Sequence, residues 1–171
     1  PIAGTAGLQV VIGTAPVNML KDPASAVNAP KLVTTYAEAV AAMGYSPDFK
    51  KFTICESISA SFQVMGVAPM VLINVLDPAK HKKALAETEV QINSGVAVLE
   101  VQGVLLDGLV VKAGDTALTA GEDFTTAWNS DGTLNIVVIP GGNAAKATAL
   151  TVSGNQLDPS MVTDAEIVGS V

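Results

Sequence analysis

With 171 residues, 49% of them hydrophobic and only 15% charged, the chain can bury the core of one domain or two small ones and is too apolar for disorder. Its net charge is −7 and all nine basic residues are lysines, so the guanidinium forks that read phosphate and guanine are missing and nucleic-acid binding is not expected. A single cysteine, Cys55, excludes an intrachain disulfide framework and a Cys-based zinc cluster, and no apolar run approaches the roughly 18 residues of a membrane-crossing helix.

Leu8-Gln9-Val10-Val11-Ile12-Gly13 is a β-branched apolar run closed by glycine, which predicts a buried strand followed by the loop Thr14-Ala15-Pro16-Val17. Pro30 to Thr34 leads into Thr35-Tyr36-Ala37-Glu38, a capping-box spacing, and a short helix should run to Met43 before Gly44. A second such spacing, Thr53 with Glu56, opens a helix to Met65. Ile54, Ile58, Phe62 and Met65 recur along it at helical intervals and predict an apolar stripe packed on a sheet, with Gly66 as the stop. Pro69 to Leu76 is almost wholly apolar, as in a strand covered on both faces of a parallel or mixed sheet. Strand, helix, helix, strand is therefore the expected order of the first part, with a right-handed crossover if the strands are parallel. Asp77-Pro78 then breaks the chain, and Ala79-Lys80-His81-Lys82-Lys83 reads as an exposed basic loop.

From about Glu87 short strand-like runs alternate with turns: Val90-Gln91-Ile92, Val96 to Leu99, Leu109 to Lys112, Phe124 to Trp128, Thr133 to Ile139 and Leu150-Thr151-Val152. Asn93-Ser94-Gly95, Asp107-Gly108, Gly114-Asp115, Gly121-Glu122-Asp123 and Asp131-Gly132 supply the turn chemistry, with Asp131-Gly132 the strongest two-residue hairpin signal. A small antiparallel sandwich or barrel follows. Asp158-Pro159 ends the strands, and Thr163 with Glu166 has the spacing of a third capping box, so residues 158–171 read as a return to the first domain. The expected fold class is α+β, a discontinuous α/β core interrupted by an inserted antiparallel β domain. Charge divides along the same line: residues 1–87 hold seven Lys against six acids and residues 88–171 two against ten. The absence of an initial Met and the stop just as the third helix begins predict a fragment.

No residue set carries catalysis, a cofactor or a metal. The strand–Gly13 loop invites a nucleotide reading, but no G-x-G-x-x-G or Walker pattern follows and Pro16 removes a backbone donor where phosphate would need one. His81, between lysines and with no G-x-S-x-G elbow, reads as a solvated surface histidine. Cys55, near a helix start where the dipole lowers a thiol pKa but beside the apolar stripe, reads as a small buried hydrophobe. Asp115, Glu122, Asp123 and Asp131 lie in separate turns without calcium-loop spacing and read as solvated turn residues, and Trp128 reads as part of the small domain's core.

Four segments, read together, become informative: Gly7 to Val17, Pro30 to Ala39, Val71 to Pro78 and Val162 to Gly169. In order and spacing they resemble the tail sheath proteins of contractile-tailed phages and related prophage or bacteriocin particles. The resemblance implies that residues 1–87 and 158–171 belong to a subunit core, that residues 88–157 form an inserted outward-facing domain, and that the protein is structural rather than an enzyme. It implies self-association into a helical polymer around a tail tube, with tube and baseplate proteins as partners, assembly in the bacterial host cytoplasm and no direct membrane insertion. Relative to full-length members the chain lacks an initial extended arm and the C-terminal region that contacts the tube. A β-rich bacterial surface or adhesion module is the competing reading, which explains the second half of the chain but not its capped helices. A small-molecule enzyme with a degenerate loop after Gly13 is a third, without residues to support it.

Overall fold

The computed structural model describes residues 7–169, so residues 1–6 and 170–171 of the expected core lie outside the described residues. The fold is α+β. Contacts gather the chain into two compact units, Pro78–Met161 and the described chain on either side of it.

The first unit is built on a three-stranded mixed sheet. Strand β1 (Gln9–Gly13) pairs in parallel with β3 (Met70–Asn74), which pairs antiparallel with β2 (Lys31–Val33), giving the order β1-β3-β2. The expected strands at the two ends form, but β3, the middle strand, buries only its Met70, Leu72 and Asn74 side and leaves Val71 and Ile73 half-buried, a correction to the strand expected to be covered on both faces. Strand β2 was not predicted: three residues after a proline are too few to show a period. One face of the sheet packs on Ala39 and Met43 of α1 (Tyr36–Met43) and Ile54 and Ile58 of α2 (Thr53–Ile58), with Val33, Met70 and Leu72 from the sheet. The other face is open. Val10 and Ile12 are exposed, so β1 is buried on one side only, a correction to the expected buried strand.

The three capping-box spacings have three outcomes. For α1, Thr35 Oγ1 accepts from Glu38 N (3.2 Å), but the Glu38 carboxylate bonds Thr34 N and Oγ1 (2.7 and 2.8 Å), one residue earlier than a capping box requires. For α2 the expected cap does not form. Thr53 is the first helical residue, and its hydroxyl accepts instead from Thr14 N (3.1 Å), beyond β1. The third forms in full at α3 (Asp164–Val168), with Thr163 and Glu166 bonded reciprocally; α3 buries none of its residues.

The predicted helix to Met65 changes character after Ile58. Residues Ser59–Met65 form a π-helical turn, whose i→i+5 bonds advance more residues per turn than an α-helix. The stripe therefore slips. Ser61 becomes buried, with its hydroxyl on Gln9 Oε1 (3.0 Å), whereas Met65 is exposed together with Val64 and Val67. Gly66 ends the turn at φ 63°, in the left-handed region predicted for it.

The second unit is one curled, wholly antiparallel sheet of seven strands: β4 (Lys82–Asn93), β5 (Val96–Leu99), β6 (Val104–Ala113), β7 (Thr116–Ala117), β8 (Phe124–Trp128), β9 (Leu134–Val138) and β10 (Ala149–Leu157). Their order is β7-β6-β10-β4-β5-β9-β8. Its core collects Leu85, Val90, Ala97, Leu99, Val104, Val111, Phe124, Leu134, Ile136, Leu150 and Val152, and Trp128 packs against it partly buried. The pairing of β10 shifts register on both sides near Ser153 and Gly154. This bulge bends an interior strand, and such bends let a flat ladder curl around its own core. A side chain at Gly154 would press on the backbone of Gly108 and Leu109, so glycine is required there.

The two-residue hairpins fall at two of the expected turns, Ser94-Gly95 and Gly114-Asp115, and not at Asp131-Gly132, the strongest signal. Ser94-Gly95, both at positive φ (52° and 82°), join β4 to β5 with Asn93 opposite Val96. Asp131-Gly132 instead sits in a wider loop between Trp128 and Leu134, with Asp131 Oδ1 accepting from Thr133 N and Oγ1 (3.0 and 2.6 Å). The basic loop is corrected too, because β4 begins at Lys82 and His81 is 4% exposed. With the unit beginning at Pro78, Lys80, Lys82 and Lys83 fall on its side. It then carries five Lys against nine acids (−4), and the rest of the chain four against seven (−3), so the charge asymmetry between residues 1–87 and 88–171 evens out.

Candidate functional site

The loop after β1 is where a ligand site would lie in an α/β protein, and its chemistry is already committed internally. Thr14 N donates to Thr53 Oγ1 (3.1 Å) and Ala15 N to Asn74 Oδ1 (3.0 Å), while Val17 N bonds Ala15 O (2.8 Å). The start of α2 is closed in return: Thr53 N donates to Thr14 Oγ1 (3.1 Å), Ile54 N to Thr14 O (3.0 Å), and Thr14 Oγ1 donates to Lys51 O (2.7 Å). The amides that cradle a phosphate in nucleotide-binding loops therefore bond protein atoms here. At Gly13 an added Cβ would collide with Thr53 Oγ1, so the glycine serves the close approach of strand and helix.

Asn74, which the sequence reading did not single out, ties this region together. It is fully buried at the end of β3; Oδ1 accepts from Ala15 N and Leu76 N (3.1 Å), Nδ2 donates to Leu76 O (2.9 Å), and its carbonyl accepts from Asn28 N (2.8 Å). A polar residue ending an apolar strand was the available signal.

The other singled-out residues lie apart. His81 is buried in the second unit, not solvated, and its carbonyl accepts from Asp158 N (2.8 Å). Asp158 in turn pairs with Lys83 (3.5 Å). Cys55 is buried as expected; desolvation pushes its thiol up to about 11, opposed by a backbone hydrogen bond from Ser46, so it is protonated and inert at neutral pH. Asp115, Glu122 and Asp131 are exposed turn residues, but Asp123 is buried. Its carboxylate accepts from Thr119 N (2.8 Å) and Asn143 N (2.7 Å), and those backbone bonds hold it below the usual carboxylate range. Asp123 is thus a loop organiser, a correction to the solvated reading. Among the described residues, no three of His, Cys, Asp or Glu gather as a metal site, and no helix is long and apolar enough to cross a membrane.

What the first unit does present is apolar surface. Leu8, Val10, Ile12 and Leu32, between 44% and 64% exposed, lie on the open face of the three-stranded sheet, and Val64, Met65 and Val67 are exposed beyond the π turn. Val10 and Leu32 both stand opposite Val71, and Ile12 stands opposite Ile73, so the open face carries no charged side chain along these rows.

The chain is similar to a tail sheath protein. Over 166 residues, 94% of its length, it is 29% identical to the tail sheath protein of Burkholderia phage BcepMu. It spans 31% of that relative's length. No family model matches the sequence, and no solved structure matches it.

Proposed function

We propose that the chain is the outer part of a structural subunit of a contractile tail sheath, which polymerises helically around a tail tube and contracts to drive it through a target envelope. The observation that carries this reading is the similarity to a tail sheath protein across 94% of the chain. The apolar surface of the first unit supports it, since a subunit held in a polymer buries surface that a free monomer would leave wet. In this reading the chain on either side of Pro78–Met161 belongs to the subunit body and Pro78–Met161 is an insertion facing outward, its −4 charge suited to solvent. Its partners are further copies of itself, the tail tube and the baseplate, and it assembles in the bacterial host before becoming part of the virion tail. Contraction then needs no catalytic residue: near-rigid subunits exchange one set of contacts for another, and small differences add along the lattice.

Antibodies against the 171-residue chain, applied with gold to tailed particles from a producing host, test the placement. Label along the length of the tail is expected. Label confined to the head or fibres, or tails that stay bare, refutes it.

A further inference from the structure

Asp107-Gly108 has the composition of a turn, yet it lies inside β6, at a place where the ladder comes apart. On one side of β10 the register sets Val110 opposite Ser153, and the next pair is Leu105 opposite Asn155. Gly154 alone therefore faces Leu106, Asp107, Gly108 and Leu109, where a regular ladder would set one residue. The surplus is not drawn into the core. Leu106, Asp107 and Gly108 are all exposed, and Gly108 takes a positive φ of 73°. No hydrogen bond or ion pair holds the Asp107 carboxylate among the described residues.

An aspartate followed by glycine is open to attack by its own chain, because the side-chain carboxyl carbon lies within reach of the next backbone nitrogen and glycine, without a Cβ, lets that nitrogen approach. When the Gly108 nitrogen attacks Asp107 Cγ, a C–N bond forms, the carboxyl gives up its hydroxyl and the amide its proton, and one water departs to leave a five-membered succinimide. Water then opens the ring. Addition at the side-chain carbonyl restores aspartate, whereas addition at the backbone carbonyl leaves isoaspartate, whose main chain runs through the former side chain and is one methylene longer. The water lost is regained, so no oxidant, cofactor or catalyst enters.

The chain's other Asp-Gly has the opposite surroundings. Asp131 Oδ1 accepts from Thr133 Oγ1 and N (2.6 and 3.0 Å), which hold the group ionised below the usual carboxylate range, and Gly132 N donates to Asn129 O (3.0 Å). An ionised carboxylate has no hydroxyl to expel, and the nitrogen that would attack it is engaged. The two Asn-Ser dipeptides, which could follow the same route, are held as well. Asn129 Nδ2 donates to Thr133 Oγ1 and Asn135 Oδ1 (2.9 Å each), and Asn93 is paired with Val96 in the β4–β5 hairpin.

We infer that Asp107-Gly108 is the site at which the folded protein converts aspartate to isoaspartate, while the loop around Asp131-Gly132 protects its own aspartate. The test ages the 171-residue chain, folded and in denaturant, at physiological temperature and mildly acidic pH, where a carboxylate can draw on its protonated form. Trypsin separates the two dipeptides, because cuts after Lys83, Lys112 and Lys146 place Asp107 in residues 84–112 and Asp131 in residues 113–146. Isoaspartate is detected by enzymatic methylation of the peptides and located by electron-transfer fragmentation; deamidation of Asn93, in the same peptide as Asp107, is told apart by its change in mass. In the folded protein isoaspartate should accumulate at Asp107 about tenfold faster than at Asp131, a ratio that one charge-assisted hydrogen bond supplies. In denaturant the two should react alike. Asp107→Glu should abolish the signal in residues 84–112, and Thr133→Ala should raise that at Asp131 toward its denatured rate. Isoaspartate forming in the folded protein as fast at Asp131 as at Asp107, none at Asp107 while the denatured chain reacts at both, a signal in residues 84–112 that survives Asp107→Glu, or a Thr133→Ala variant no faster at Asp131 would each overturn the inference.

Discussion

Replacing Asn74 with alanine removes the side chain that joins the loop after β1 to the end of β3. The substitution strands two backbone donors, Ala15 N and Leu76 N, and one acceptor, Leu76 O, in a region where Asn74 and Leu76 are fully buried. Leaving a buried polar group unpaired is destabilising by about 1–3 kcal/mol. The carbonyl has a second lone pair and the alanine cavity is small, so a total of about 3 kcal/mol is expected rather than the sum of three full penalties. For a unit of this size about 1 kcal/mol corresponds to 4–8 °C, so the midpoint should fall by roughly 12–24 °C. Thermal unfolding by circular dichroism measures it, with the conservative Asn74→Asp as comparison. The aspartate keeps the two acceptor bonds but faces Leu76 O with an oxygen, and it should fall between wild type and alanine. A loss below about 1 kcal/mol for alanine would show that water or a shifted loop satisfies these groups, and the clamp would be refuted.

Gly13→Ala should destabilise by about 1–3 kcal/mol through collision with Thr53 Oγ1. In that background Thr53→Ala should be less damaging than in wild type, and a double-mutant cycle with no coupling would contradict the close approach. Asp123 is held below its ordinary pKa by Thr119 N and Asn143 N, so the unfolded chain binds its proton more readily. Its contribution is therefore present above the unfolded carboxylate pKa and lost as pH falls through the folded value. Asp123→Asn should accordingly flatten the acid side of the melting profile below about pH 4, and a profile parallel to wild type would refute this. Cys55, with its thiol pushed up to about 11, should stay silent to a disulfide reagent at pH 8 until denaturant is added; rapid labelling of the native protein would show that its pocket opens.

Local chemistry was legible where both partners lie within one turn. Thr35 and Glu38, Thr163 and Glu166, and Gly66 after the second helix behave largely as their spacing predicts. Thr53 has the same spacing to Glu56, yet its hydroxyl bonds Thr14, 39 residues away, a competition that no local window contains. The π turn was illegible because Ile54, Ile58, Phe62 and Met65 keep an α-helical period while the backbone does not. Lysines at 80, 82 and 83 hid the start of β4, since Lys82 and Lys83 point their charge to solvent from a strand whose first buried apolar residue is Leu85. Asp123 and Asn74 share one lesson: each is polar because several backbone amides converge on it, and that convergence exists only in the folded chain. The open sheet face escaped notice for the opposite reason, because apolar strand residues read as buried whether or not a cover is present.

The central claim is that the protein works by assembling, and negative-stain electron microscopy of the purified full-length gene product over a range of concentrations tests it most directly. Regular tubes or stacked rings that form with increasing concentration are the predicted result. Monomers that persist at high concentration, with neither rings nor tubes at any salt, would contradict it.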